Sequence, residues 1–303
     1  MPLQTPRPLR KILYASYQTG ESLPGYVRYA LEGLCRTGFS VVYLTNERDL
    51  DAASHAFLDA NRIELFFTEN RGYDFGMWKR YIQYTAKFRR EEWERLVLVN
   101  DSIVYFQNRF RTFFDAAEEN VADVVSLTEN DEIALHLQSF FLYMKRSAVA
   151  PFCRWLLAEP EGKNFYDTVR RLEVGSSEFL RGQGFSLAAL FQTPKPVLFS
   201  YPELIRNRCG FVKRKLLEKR WTRAEVFHFW RNDAGNALSL NYIREIRERG
   251  FPDRDFKPEW LLQFDKTLSG KIGEIFRFAY YRIRWELSKI AERVKSRIRE
   301  RRR

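Results

Sequence analysis

In the stretch ERLVLVNDSIVYF, residues 94–106, a carboxylate stands between two apolar runs. Leu96 to Val99 reads as a buried strand, Asn100, Asp101 and Ser102 interrupt it, and Ile103 to Phe106 resumes it. Two chemistries fit. Asn, Asp and Ser hydrogen-bond their own backbone and make turns. An acid at the carboxyl end of a sheet strand is also where a metal and diphosphate site belongs, because ligands collect at such ends.

Three further stretches carry residue types that do chemistry. ENRGYDFGMWKRYI, residues 69–82, sets Asn70, Arg71 and Gly72 after a strand and Asp74 at the entrance to a helix. Helix-start amides and a nearby Arg suit an anionic or ribose-bearing ligand, whereas Asp74 alone is an ordinary helix cap. Gly72 supplies a positive φ in either case. In LHLQSFFLYMK, residues 135–145, strand alternation puts His136 and Gln138 on one face and Ser139 on the other. Such polar groups bind sugar hydroxyls or satisfy one another in the core. In RRLEVGSSEFLRGQGF, residues 170–185, a helix starting near Ser176 places Glu178 in its first turn, where the dipole favours a carboxylate. Glu173 then precedes that helix and is the better general base, a role that needs a carboxylate within reach of the proton it removes.

The elements that must position these residues alternate along the first third. KILYASY, FSVVYLTN, IELFFTEN and RLVLVND read as strands. The segments YVRYALEGLCRTG, DLDAASHAFLDANR and DFGMWKRYIQYTAKF between them read as helices. That order predicts an α/β fold with a mainly parallel sheet flanked by helices. Every strand end is polar: Ser16-Tyr17-Gln18, Thr45-Asn46, Glu69-Asn70 and Asn100-Asp101. Past Ser102 the pattern loosens. A strand running from 135 into a helix at VAPFCRWLLAE is predicted, and the Pro-punctuated segment PKPVLFSYPELIRNRCG is expected to wrap the core.

Composition narrows the classes. At 303 residues with 45% hydrophobic and 16% aromatic content, the chain can bury a sizeable core. No apolar run approaches the roughly 18 residues of a membrane span, and MPLQTPRPLRK lacks the apolar stretch of a signal peptide. A cytoplasmic location is therefore expected. Cys35, Cys153 and Cys209 are isolated and read as free thiols, and His55, His136 and His228 lack zinc-site spacing. The net charge of +12 is concentrated: residues 271–303 hold about 12 Lys and Arg against 4 Glu, leaving an ordinary balance elsewhere. With no recognition motif, a nucleic-acid partner is not expected.

In this order, ENRGYDFG, the NDS between two strands, HLQSFFLYMKRSAV and LEVGSSEFLRGQGF together resemble the rhamnan-synthesis glycosyltransferases, over roughly residues 10–260. The resemblance implies a GT-A-like (Rossmann-like) domain over 11–265 after a short tail, 1–10. Its nucleotide-binding half would span about 11–105 and its acceptor half about 106–265. It implies a nucleoside-diphosphate sugar donor, deoxythymidine-diphosphate-rhamnose first, with uridine or guanosine diphosphate sugars open. The acceptor would be a glycan, lipid-linked or otherwise. Asn100-Asp101-Ser102 would stand at the DxD position, whose acid normally binds Mg2+ or Mn2+ between the donor's phosphates. Tyr17, Asn70, Arg71, Gly72 and Asp74 would line the nucleotide, and His136, Gln138, Ser139 and Glu178 the acceptor or sugar. Glu173, about eleven residues before Gly184, matches the acceptor-activating base of inverting transferases, and His228 in FHFWRND would reach the diphosphate or metal. This sequence offers one carboxylate at the DxD position instead of two, which leaves the metal open. A non-catalytic sugar-binding relative is the main alternative.

Residues 266–303 form a separate helical pattern. Ile272, Ile275, Phe276, Ala279, Ile283, Leu287, Ile290 and Val294 share a face flanked by aromatic and basic residues. It reads either as a basic amphipathic helix lying in an anionic membrane surface, at the inner face of the cell membrane, or as a helix packed on its own domain.

Overall fold

A computed structural model describes residues 9–218, except 89–91, 132, 194–196, 199 and 208. His228 and the basic tail therefore lie outside the described residues.

The first half alternates as expected: β1 (Leu9–Ser16), α1 (Gly25–Cys35), β2 (Ser40–Thr45), α2 (Ala52–Ala60), β3 (Glu64–Phe67), α3 (Tyr73–Phe88) and β4 (Trp93–Asn100). There follow β5 (Ile103–Tyr105), α4 (Phe110–Glu119), β6 (Val124–Ser126), β7 (Glu129–Asn130), β8 (His136–Leu137), β9 (Phe141–Lys145) and α5 (Arg146–Ala158). Next come α6 (Phe165–Thr168), a π-helical stretch (Val169–Val174) and α7 (Gly175–Gly182). The last elements are β10 (Leu187–Ala189), α8 (Tyr201–Arg206), β11 (Phe211–Lys213) and α9 (Arg214–Glu218).

Seven strands form one sheet in the order β10-β6-β9-β4-β1-β2-β3. All its pairings are parallel except those of β9, which runs antiparallel to both β4 and β6. The fold is thus mixed α/β, mainly parallel, with helices on both faces. Strand alternation explains why. Ile12, Tyr14, Val41, Tyr43, Val97, Val99 and Tyr143 point to one side, among α1, α4 and α8 residues such as Leu31, Phe113 and Leu204. Leu13, Ala15, Val42, Leu44, Leu96, Leu98 and Met144 point to the other, against Trp78 of α3 and Phe152 of α5. Central strands apolar on both faces belong to a sheet covered on both sides.

Two segments depart from the sequence reading. The strand expected over 135–145 is broken. His136–Leu137 pairs with β7 in a small ribbon, Ser139 and Phe140 turn, and only then does β9 enter the main sheet. The continuation Ile103–Tyr105 leaves the main sheet and pairs antiparallel with β11, a three-residue strand too short to stand out in the sequence.

Where α1 crosses α4, Gly33 meets the ring of Phe110. A Cβ there would lie 2.4 Å from the ring's Cδ2, and both sides of the contact are core. Ala is normally about 1 kcal/mol better than Gly inside a helix. Here overpacking outweighs propensity, so Gly33→Ala is expected to lower stability by about 1–3 kcal/mol. A fall in the urea midpoint is the readout, and a rise would show that the crossing can relax.

Candidate functional site

The chain winds from β1 through β2 to β3 on one side, then returns to lay β4 on the other side of β1. A reversal of this kind opens a crevice at the strands' carboxyl ends, where α/β sheets bind ligands. Ser16 ends β1 and Asn100 ends β4 at that crevice, with Ala15 paired to Asn100 in register. The antiparallel β9 brings its amino end, and so the Ser139-Phe140 turn, to the same edge, where the Asn100 amide donates to the Phe140 carbonyl at 3.3 Å.

The opening ambiguity of Asn100-Asp101-Ser102 resolves into a division of labour. Asn100 makes the turn: its Oδ1 accepts from the Ser102 amide at 3.0 Å and the Ser102 hydroxyl at 2.6 Å. The Asp101 amide donates to the Ala15 carbonyl at 3.1 Å, which holds the turn on β1. The Asp101 side chain is left for other work. Its Oδ2 accepts from the Ser16 hydroxyl at 3.0 Å and from Nη1 of Arg214 at 2.6 Å, and the residue is only 7% exposed. Arg214 is placed there by the β5–β11 ribbon, and its own amide donates to the Ser102 carbonyl at 2.8 Å. Its Nη1 also donates to the Tyr26 hydroxyl at 3.1 Å. Burial raises the pKa of Tyr26, and the Arg214 charge opposes that rise. Nothing in FVKRKLLE marked Arg214, because its partner is 113 residues away.

Asp74 joins this group through Asn100, whose Nδ2 donates to Asp74 Oδ2, while Oδ1 accepts from the Phe75 amide at 3.0 Å. The backbone before it is unusual. Gly72 and Tyr73 are both left-handed, with φ of 75° and 57°. A Cβ on Gly76 would sit 1.9 Å from the Arg71 carbonyl oxygen, so this glycine lets the loop close against the first turn of α3. Burial, with the Glu173 charge as the next cause, pushes the Asp74 carboxyl from 3.8 to about 6; the Asn100 and Phe75 hydrogen bonds oppose it and the Asp101 charge adds to it.

Glu173 lies within helix, in contrast to the expected position before one: α6, the π-helical stretch and α7 run on without a break. Wide-turned π segments re-aim side chains and recur at functional sites. Glu173 Oε1 accepts from both the amide and the hydroxyl of Ser139, at 2.7 and 2.9 Å. Its Oε2 has no hydrogen-bond partner among the described residues, and the residue is partly exposed. That combination, one oxygen fixed and the other open, suits a base.

The other sequence candidates divide. Ser102 is held in the turn and Ser139 holds Glu173. Gln138 is satisfied internally, its Oε1 accepting from Thr128 Oγ1 at 2.7 Å, which favours the core reading. His136 is buried with Nδ1 2.7 Å from the Ala134 carbonyl, which can only accept, so that nitrogen is the donor. The Arg71 Nε pairs with Glu161 at 2.6 Å, and Glu161 also binds Arg80 at 2.8 Å. Asn70 and Tyr17 are exposed, and Glu178 is exposed on α7 with no polar contact to the group. An aromatic pair missed in the sequence, Tyr73 and Phe165, meets edge to face at 5.9 Å with both rings partly in solvent.

The family model RgpF, rhamnan synthesis protein F, matches residues 41–249. No curated protein matches the chain. Among solved structures similar to it, the glycosyltransferase GlyE of Streptococcus pneumoniae TIGR4 is 11% identical, with a TM-score of 0.38 over 60% of this chain and 46% of that one. A cytidylyltransferase from Leptospira borgpetersenii serovar Hardjo-bovis is 13% identical, with a TM-score of 0.35 over 62% of this chain and 77% of that one. The 4-diphosphocytidyl-2C-methyl-D-erythritol synthase of Anaerococcus prevotii is 8% identical, with a TM-score of 0.41 over 65% and 98%.

The raised Asp74 value has a sign that thermal melts can read. A carboxyl whose folded pKa of about 6 exceeds its ordinary 3.8 is harder to ionise in the folded state. Its ionisation therefore costs stability above about pH 6, and the cost vanishes below about pH 4. Asp74→Asn is expected to remove this component of the pH dependence, so that the difference in melting temperature between variant and parent changes across that window and is level outside it. A difference that stays constant from about pH 4 to pH 7 would show that Asp74 is not buried as described.

Proposed function

This chain belongs to the rhamnan synthesis protein F family, and we propose that it transfers a sugar, rhamnose or a related deoxyhexose, from a nucleoside-diphosphate donor to a hydroxyl of a growing cell-surface glycan. Family membership supports a glycosyltransferase. The observation that carries the reaction is Glu173, held through one oxygen by Ser139 and open at the other, beside the sheet's switch point.

In this reading Glu173 Oε2 takes the proton of an acceptor hydroxyl as that oxygen attacks the donor's anomeric carbon. The bond from that carbon to the diphosphate oxygen breaks on the opposite face, and its electron pair leaves with the nucleoside diphosphate. Configuration at the anomeric carbon inverts. Asp74, with a pKa of about 6, is partly protonated in weakly acidic solution and then donates a hydrogen bond to a donor hydroxyl. Ser139 is the positioning residue of the base, and Asn100 that of Asp74. Asn70, Tyr17 and Gly72 frame the nucleotide side of the crevice. On the acceptor side, the partly exposed rings of Tyr73 and Phe165 offer apolar faces of the kind that stack on sugars.

We place the acceptor on a lipid carrier and the enzyme at the inner face of the membrane because of the basic amphipathic pattern of residues 271–303. Among the described residues no helix is long and apolar enough to cross a membrane. Flotation with anionic vesicles is expected to carry the full chain and to leave behind a chain ending near residue 268. Equal flotation of both would remove the tail from the proposal.

Glu173→Gln keeps the acceptor geometry for Ser139 and removes the base. It is expected to lower transfer about 10²–10⁴-fold with an unchanged melting temperature. Purified enzyme is incubated with a panel of nucleoside-diphosphate sugars, and released diphosphate is measured. Near-parental turnover by the folded variant would exclude Glu173 as base. No release from any donor by the parent would favour the non-catalytic sugar-binding alternative.

A further inference from the structure

We propose that Arg214 supplies the positive charge that the fold family's divalent ion would bring to the donor diphosphate, that Asp101 positions it, and that diphosphate binding by this chain needs no metal. This rests on the glycosyltransferase reading above.

The starting point is the fit of the residues to Mg2+ or Mn2+. Among the described residues no group of three or more His, Cys, Asp and Glu side chains converges on a metal position. The three acids of the crevice are separately engaged: Asp74 Oδ2 by Asn100, Glu173 Oε1 by Ser139, and Asp101 Oδ2 by Ser16 and Arg214. Mg2+ sites in nucleotide enzymes are often built from only one or two carboxylates plus phosphates, so the count alone does not decide. The charge does. At the DxD position the sole carboxylate already has a guanidinium nitrogen 2.6 Å away. A dication on Asp101 would either sit beside a fixed positive charge or break the Asp101–Arg214 pair, and taking the counter-charge from a carboxylate whose side chain is only 9% exposed is costly. Asp101 does not fit the ion.

Arg214 fits its task. Its backbone is fixed to the Ser102 carbonyl at 2.8 Å, so the guanidinium is held at the carboxyl ends of β1 and β4 by the main chain as well as by Asp101. The side chain is 23% exposed against 9% for that of Asp101, making the cation the more accessible member of the pair. A guanidinium presents a planar fork of donors that matches phosphate oxygens and cannot be deprotonated. Two further cations flank it: Lys213, with Nζ 4.4 Å from the Phe140 ring centroid, and Lys215, exposed, with Nζ 6.0 Å from that of Phe165. Lys213 at the end of β11, and Arg214 and Lys215 at the start of α9, make three consecutive cations at this junction. As the bond to the anomeric carbon breaks, charge grows on the diphosphate oxygen, and a fixed guanidinium stabilises it without reorganising.

The test is calorimetric titration of the full chain with deoxythymidine, uridine and guanosine diphosphates, in excess EDTA and again in excess Mn2+, with free Mn2+ followed by its paramagnetic resonance signal. At least one diphosphate is expected to bind with affinities that agree within about twofold in the two buffers, and the free Mn2+ signal is expected to be unaffected by adding protein to the diphosphate. Arg214→Ala should weaken that binding about tenfold or more, with partial recovery in Arg214→Lys, as for loss of a charge-assisted bond. Asp101→Asn provides the decisive contrast and covers the case in which Arg214→Ala does not fold. Asn keeps an oxygen for Arg214 but weakens the ion pair, so Asp101→Asn lowers diphosphate affinity by the same factor in EDTA and in Mn2+ if Asp101 only positions Arg214, and removes selectively the Mn2+-supported binding if Asp101 holds a metal. Binding that requires Mn2+ and is lost in Asp101→Asn overturns the role of Arg214 while preserving the transferase. Failure of folded parent protein to bind any diphosphate in either buffer overturns both.

Discussion

Asp101 is a buried charge, and a buried charge must be matched where it stands. Meeting that requirement joins distant parts of the chain: Ser16 from the first strand, Asp101 from the turn after the fourth, and Arg214 from the start of the last described helix. The same contact fixes the small β5–β11 ribbon against the edge of the main sheet, since the backbones of Ser102 and Arg214 bond directly. The ribbon is thus tied to the strand ends both by main chain and by an ion pair.

Around this pair, the acids are differentiated by what surrounds them. Asp74 is packed at a helix start and is raised to about 6. Asp101 is compensated by a guanidinium, and Glu173 is oriented by a serine through one oxygen only. Three carboxylates close together repel unless their environments separate them. Asn100 is the residue that makes this separation possible, with its oxygen in the turn and its nitrogen on Asp74. In the tripeptide NDS, Asn100 makes the turn, and the Asp101 side chain is left to bond Ser16 and Arg214.

Much of this was legible in the sequence, and what was not has a common cause. The β1–β4 half could be read because its strands are apolar on both faces and end in polar residues, and Asp74, Asp101 and Glu173 stood out as acids at element boundaries. Arg214 could not be read, since a pairing over 113 residues leaves no local periodicity. The π-helical stretch was equally silent: VRRLEV has the composition of an ordinary helix, and its two buried residues, Leu172 and Val174, carry no sign of the wider turn. The Thr128 partner of Gln138 was not legible, because strand alternation predicts which face a residue shares and not what stands opposite it. Local chemistry shows in sequence; its completion by distant partners does not.

The distance between Asp101 and Arg214 also orders events during synthesis. At typical elongation rates of 5–20 residues per second, the ribosome takes roughly 6–23 seconds to go from residue 101 to residue 214. Throughout that interval the nascent chain carries β1 to β4, which can pair, and a carboxylate whose counter-charge has not been made. Burying that carboxylate is unfavourable until Arg214 emerges, so the carboxyl edge of the young sheet stays hydrated while its centre consolidates. The ion pair that completes the crevice can therefore form only after Arg214 has emerged, later than the four strands that begin the sheet.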